Sequence, residues 1–125
     1  AQILRGFGIA DAVVWRGVGA DVTRAEFVWQ APDGSPVFTV YLPGLGYSNG
    51  RQLPMAAAEL ATRLTALAEE HAPFRRTDVF LVMNGTDHQE AQPELPGALR
   101  GSGLPANIAS LSDYIAAARR AAGVS

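Results

Sequence analysis

Thr77 to Met83 (Thr-Asp-Val-Phe-Leu-Val-Met) is an apolar, β-branched and aromatic run of strand length, and it breaks at once into Asn84-Gly85, a turn signal. The residues that follow, Thr86-Asp87-His88-Gln89, set an acid, an imidazole and an amide side by side. A buried strand that ends in a carboxylate is how α/β enzymes present a catalytic group at the carboxyl edge of a sheet. Asp87 is therefore the foremost candidate for chemistry. The same residue types also suit turns and caps, where Asp and Asn bond nearby backbone for purely local reasons. On the residues alone, both readings stand.

The chain has 125 residues, enough for one modest domain, and 48% of them are apolar, enough to form a core. A formal charge of −2 gives no basic face for nucleic acid, so no nucleic-acid partner is expected. There are no cysteines, which excludes disulfides and thiolate metal sites. No apolar run approaches the roughly 20 residues that span a bilayer, so no membrane partner is expected. Ala1-Gln2 opens straight into Ile3-Leu4-Arg5 without the basic start and apolar stretch of a signal peptide, and the expected location is cytoplasmic. All ten basic residues are Arg. The opening without Met, and a helix stop at Gly123 just before Ser125, lead to the expectation of a piece of a longer protein.

Along the chain, Ile3 to Gly8 reads as the tail of a helix and Asp11 to Arg16 as a short buried strand. Ala25 to Gln30 and Val37 to Leu42 flank the turn Pro32-Asp33-Gly34-Ser35 and should form a β-hairpin. Pro43 to Pro54 is a loop. Met55 to His71 is the clearest helix, with Ala57, Leu60, Leu64 and Leu67 on one face and Glu59 placed to pair with Arg63. The Thr77–Met83 strand follows, then a short helix from Glu94 to Arg100 and a short strand from Ala106 to Ala109. Ser110 and Asp113 make a capping-box variant for a helix from Leu111 to Ala122. This rhythm predicts an α/β fold: a partial, barrel-like parallel sheet with flanking helices and a β-hairpin excursion.

Several segments, taken in order, resemble the catalytic domain of glycoside hydrolase family 38, the zinc-dependent retaining α-mannosidases, and within it the mannosylglycerate hydrolase type. They are Gln2-Ile3-Leu4-Arg5-Gly6-Phe7-Gly8-Ile9, Val14-Trp15-Arg16-Gly17-Val18, Glu26-Phe27-Val28-Trp29 with Pro32-Asp33-Gly34-Ser35, and Tyr41-Leu42-Pro43 leading to Gly46-Tyr47-Ser48-Asn49-Gly50. Asn84-Gly85-Thr86-Asp87-His88-Gln89 and Ser110-Leu111-Ser112-Asp113-Tyr114 complete the series. The resemblance implies that residues 1–125 are a single segment, the middle of such a catalytic domain. It also implies an α-mannoside or mannosyl-glycerate-like substrate.

In that family the zinc is held by a His-x-Asp pair, by the nucleophilic Asp and by a later His. No His-x-Asp pair occurs in this chain, so the segment is expected to bind no metal, zinc belonging to the parent enzyme, and to be inactive alone. By the resemblance, Asp87 is the acid/base, one of the two carboxyl groups of retaining glycoside hydrolysis. That role requires it to carry a proton, kept by partial desolvation or a carboxylate neighbour.

Arg16 matches an active-site Arg suited to gripping a carboxylate, with a surface ion pair as its plainer reading. Tyr47 matches an aromatic lining the sugar pocket, or is an ordinary loop aromatic. His88 is a substrate-binding candidate but has no second ligand at a useful spacing for zinc. Trp15 and Trp29 read as core, His71 as a helix C-terminal partner, and Asn84 and Gln89 as turn-closing or sugar-binding. The alternative to a glycosidase segment is a free-standing, non-catalytic α/β module binding carbohydrate or protein. A segment excised from its neighbours should expose sheet edges, which makes self-association an expectation.

Overall fold

In the computed structural model, which describes residues 1–124, the Pro32–Ser35 turn closes as its residues require. The Ser35 amide and hydroxyl both donate to the Asp33 carboxylate at 2.9 Å, and Gly34 takes a φ of 87°. Those bonds hold the Asp33 carboxyl below its ordinary value. The turn joins β2 (Glu26–Gln30) to β3 (Pro36–Tyr41) as an antiparallel hairpin, with Glu26 opposite Val40 and Gln30 opposite Pro36. β1 (Asp11–Val14) lies parallel on the other edge of β3, giving the order β1-β3-β2. Val37 to Val40 are all buried, as expected of a strand covered on both faces.

The fold is α/β, but the sheet is small and mixed where a parallel, barrel-like sheet was expected. The reason lies in β3. Its two edges are taken by β1 and by the hairpin partner β2, so the run from Thr77 to Met83 has no open edge there to join. That run forms no ladder among the described residues, and neither does Ala106 to Ala109. It is nonetheless extended and alternating. Val79 and Leu81 pack on one apolar cluster, with Phe38, Val40, Leu42, Tyr114 and Ala118; Phe80 and Val82 pack on another, with Leu53, Leu60, Leu64, Leu67, Leu95 and Ala98. Period-two alternation places the segment between two packed layers, as for a strand buried on both faces.

Five-residue α1 (Gln2–Gly6) buries none of its side chains. α2 (Ala57–His71) buries Leu60, Leu64 and Leu67, the face its spacing predicts, and packs on α3 (Leu95–Ser102). Arg63 pairs with Glu70 at 3.2 Å, not with Glu59. α4 (Leu111–Ala122) begins with the expected capping box, the Ser110 hydroxyl accepting from the Asp113 amide at 3.1 Å and the Asp113 carboxylate accepting from Ser110. These bonds hold the Asp113 carboxyl below its ordinary value. Trp29, expected in the core, is 51% exposed, because the hairpin turns that face of β2 to solvent. Among the described residues, no helix is long and apolar enough to cross a membrane.

One buried polar pair ties the sheet to α4. Tyr114 donates to Oε1 of Glu26 at 2.7 Å, while Oε2 of Glu26 is buried without a partner. Burial, followed by that contact, pushes the Tyr114 phenol well above its ordinary value. A buried acceptor stripped of its donor costs more than the bond contributes. Tyr114→Phe should therefore destabilise by about 2 kcal/mol, and Tyr114→Phe with Glu26→Leu by less than that single change. Unfolding of the two variants beside the parent chain checks the order.

Candidate active site

The 3-10 turn Gly46–Ser48 follows β3, and it and the two residues after it set Tyr47, Ser48, Asn49 and Gly50 against the segment that carries Asp87. Gly46 has a φ of 58° and lies so close to Trp15 that a Cβ would overlap the indole ring. Glycine answers both constraints there. The Trp15 indole N–H donates to the Gly44 carbonyl at 3.2 Å, and Tyr47 meets the indole edge-on with ring centroids 4.9 Å apart. From that packed position the Tyr47 hydroxyl donates to Oδ2 of Asp87 at 3.0 Å. Ser48 and Thr86 share a hydroxyl–hydroxyl bond of 2.7 Å. The Asn49 carboxamide accepts from the Met83 amide at 2.7 Å and donates to the Leu81 carbonyl at 3.0 Å. Gly50 donates its amide to the Met83 carbonyl at 3.0 Å.

A second carboxamide group completes the frame. Gln92 bonds both the amide and the carbonyl of Leu53 at 2.9 Å. Asn84 donates to the Gly50 carbonyl and to Gln92, both at 2.9 Å, so it closes the turn. The structure thus brings Tyr47 and Asp87 together at an exposed rim. Arg16 comes to the same rim across Trp15, its guanidinium 4.4 Å from the indole centroid. His88 is exposed in left-handed backbone, φ 60°, and has no hydrogen-bond partner among the described residues. Gln89 lines an open polar depression beside the loop, with Gln52, Glu90 and Gln92.

Trp15 is half-buried and forms the wall behind Tyr47 in addition to contributing to the core. Asn49, Ser48 and Gln92 escaped sequence reasoning. Their partners lie 34, 38 and 39 residues away, beyond any local spacing rule. The one available signal was Asn49-Gly50 itself, a polar residue beside a glycine in a segment otherwise read as loop. Among the described residues no three His, Asp or Glu side chains converge on a point that could hold a metal ion.

The extended segment thus ends in a carboxylate with an aromatic wall beside it. The family model for the glycosyl hydrolases family 38 N-terminal domain matches residues 1–121, and the chain belongs to that family. It is 33% identical over 111 residues to the "Putative mannosylglycerate hydrolase" of Halalkalibacterium halodurans, covering 79% of this chain and 12% of that protein. Its fold is similar to an α-mannosidase crystal structure from Enterococcus faecalis, with a TM-score of 0.82, 22% identity, and coverage of 95% of this chain and 14% of that one. The chain thus spans about one-eighth of the length of the relatives it matches.

Electrostatics at the rim follow from the Tyr47–Asp87 contact. The hydrogen bond to Asp87, then the charge of that carboxylate, then desolvation raise the Tyr47 phenol above its ordinary value, and the Arg16 charge opposes them. A raised value means that the contact contributes stability fully below the ordinary phenol range and loses it as pH climbs through the raised one. Asp87→Asn should bring Tyr47 back toward the ordinary range. Ultraviolet titration, with Tyr47→Phe as the reference that identifies the band, checks this; an unmoved band would mean the bond is not formed.

Proposed function

We propose that this segment supplies the general acid/base of a retaining α-mannosidase of family 38, with Asp87 in that role. The observation that carries the reading is the 3.0 Å bond from Tyr47 to Oδ2 of Asp87, at the exposed end of the extended run. It leaves Oδ1 to hold a proton toward a departing glycosidic oxygen and later to take one from water, while a carboxylate elsewhere in the parent forms the covalent glycosyl-enzyme. Tyr47 and Trp15 present ring faces and edges of the kind that pack on a pyranose. Arg16 and His88 are proposed to meet substrate hydroxyls or a glycerate-like carboxylate at the same rim. The printed name of the Halalkalibacterium relative supports a mannosyl substrate for the parent.

The zinc implied by the family is proposed to be held by parent residues outside this segment, and no step here runs through it.

In the full-length parent, Asp87→Asn should lower turnover of mannosides with poor leaving groups by roughly 10²- to 10⁴-fold, and that of activated aryl mannosides far less, because only the former need a proton donor. Equal losses on both substrates would remove the acid role. Residues 1–125 expressed alone should show no mannosidase activity, with or without added zinc. Turnover above background would mean that the second carboxylate lies within this chain.

A further inference from the structure

We propose that Asn49 is a positioning residue for Asp87, braced by His71; the proposal rests on the acid/base reading of Asp87. Asn49 is only 6% exposed, and its carboxamide is committed on three sides. A peptide carbonyl can only accept and a peptide amide can only donate. Contact with both the Leu81 carbonyl and the Met83 amide therefore fixes which end of the carboxamide is oxygen and which is nitrogen.

The second N–H of Asn49 then points to Nε2 of His71 at 3.3 Å, and Nδ1 of His71 stands 2.9 Å from the Leu67 carbonyl. That carbonyl can only accept, so Nδ1 carries the hydrogen of the neutral ring and Nε2 accepts from Asn49. A line of hydrogen bonds thus runs from the last turn of α2, through His71 and Asn49, into the backbone of the run that ends at Asp87.

Its consequence is axial. Among the described residues the 77–83 run has no ladder neighbour, and its polar contacts along its length come from side chains and the Gly50 amide. Its packing between two apolar layers is non-directional, whereas the hydrogen bonds are not. The bonds from Asn49 and Gly50 fix the run along its length against the Gly46–Ser48 turn, and the close approach is available because residue 50 is glycine. A Cβ there would come within 2.8 Å of the Met83 carbonyl oxygen. Tyr47 and Ser48 belong to the same short turn, so the bonds to Asp87 and Thr86 keep their geometry only while Asn49 holds the run in place.

The test is Asn49→Asp in the full-length parent. The change keeps side-chain size and the acceptor for Met83, but it sets an oxygen against the Leu81 carbonyl and the acceptor nitrogen of His71. A displacement of about 1 Å can cost roughly 10²-fold in rate, so kcat on mannosides with poor leaving groups should fall by about tenfold or more, KM should hold, and activated aryl mannosides should lose far less. In an Asp87→Asn background the ratio between the two substrates should not change further.

Equal losses on both substrates, or no loss, would overturn the proposal. Should Asn49→Asp fail to accumulate as folded protein, His71→Leu, which removes only the brace, should give a smaller split of the same kind; equal losses there would overturn it too. A split for Asp87→Asn without one for Asn49→Asp overturns the positioning role alone, whereas no split for Asp87→Asn removes the acid role and this proposal together.

Discussion

The grip of the Asn49 carboxamide on Leu81 and Met83 is the contact on which the arrangement at Asp87 depends. A side-chain carboxamide carries the same donor and acceptor as a peptide group, so it can stand in for a neighbouring strand at one point. Among the described residues Asn49 does so on the 81–83 backbone, and Gln92 bonds both polar groups of Leu53 in the same way. Buried backbone polar groups must find partners, and an extended segment without a ladder leaves them to be met by side chains. Both carboxamides come from irregular segments, and Asn84 links the two systems through Gly50 and Gln92. The irregular segments around Asp87 are therefore held by directional bonds as well as by apolar packing.

How much of this was legible in the sequence depended on the range of the cause. The hairpin turn, the apolar face of α2 and the capping box of α4 rest on residues within four positions of one another, and each formed as read. The Thr77–Met83 run was read as a buried strand; it is extended, and the structure adds that alternate residues pack on two different clusters. Its lack of a ladder was not legible. Pairing depends on which strand edges remain open, and β3 had already spent both of its edges on β1 and β2. Trp29 failed for a related reason: a strand pattern says that faces alternate, not that something covers each of them.

The site was legible in its parts and not in its assembly. Asp87 and Tyr47 were singled out separately, 40 residues apart, and only the fold shows that one donates to the other. Trp15 was assigned to the core, yet its position explains three features at once. It forces glycine at 46, it buttresses Tyr47, and it carries Arg16 on its ring face. Those placements follow from β1 running parallel to β3, so that the residues just after each strand emerge at the same end of the sheet.

That geometry also bears on how a carboxyl at this rim could serve as both acid and base. A guanidinium paired directly with Asp87 would favour the ionised form and work against proton donation. Arg16 stacks on Trp15, and among the described residues Asp87 belongs to no salt bridge. Tyr47 supplies a neutral donor in its place. Because the phenol is raised by the very carboxylate it bonds, it keeps its proton more firmly while Asp87 is ionised. A donor that does not itself titrate over the working range can orient Oδ2 through both halves of a proton cycle, leaving the cycle to Oδ1. On the proposed acid/base reading, orientation comes from the aromatic wall and the proton from Asp87, so the two functions rest on different residues. Packing at Trp15 can hold the first constant while the second changes state.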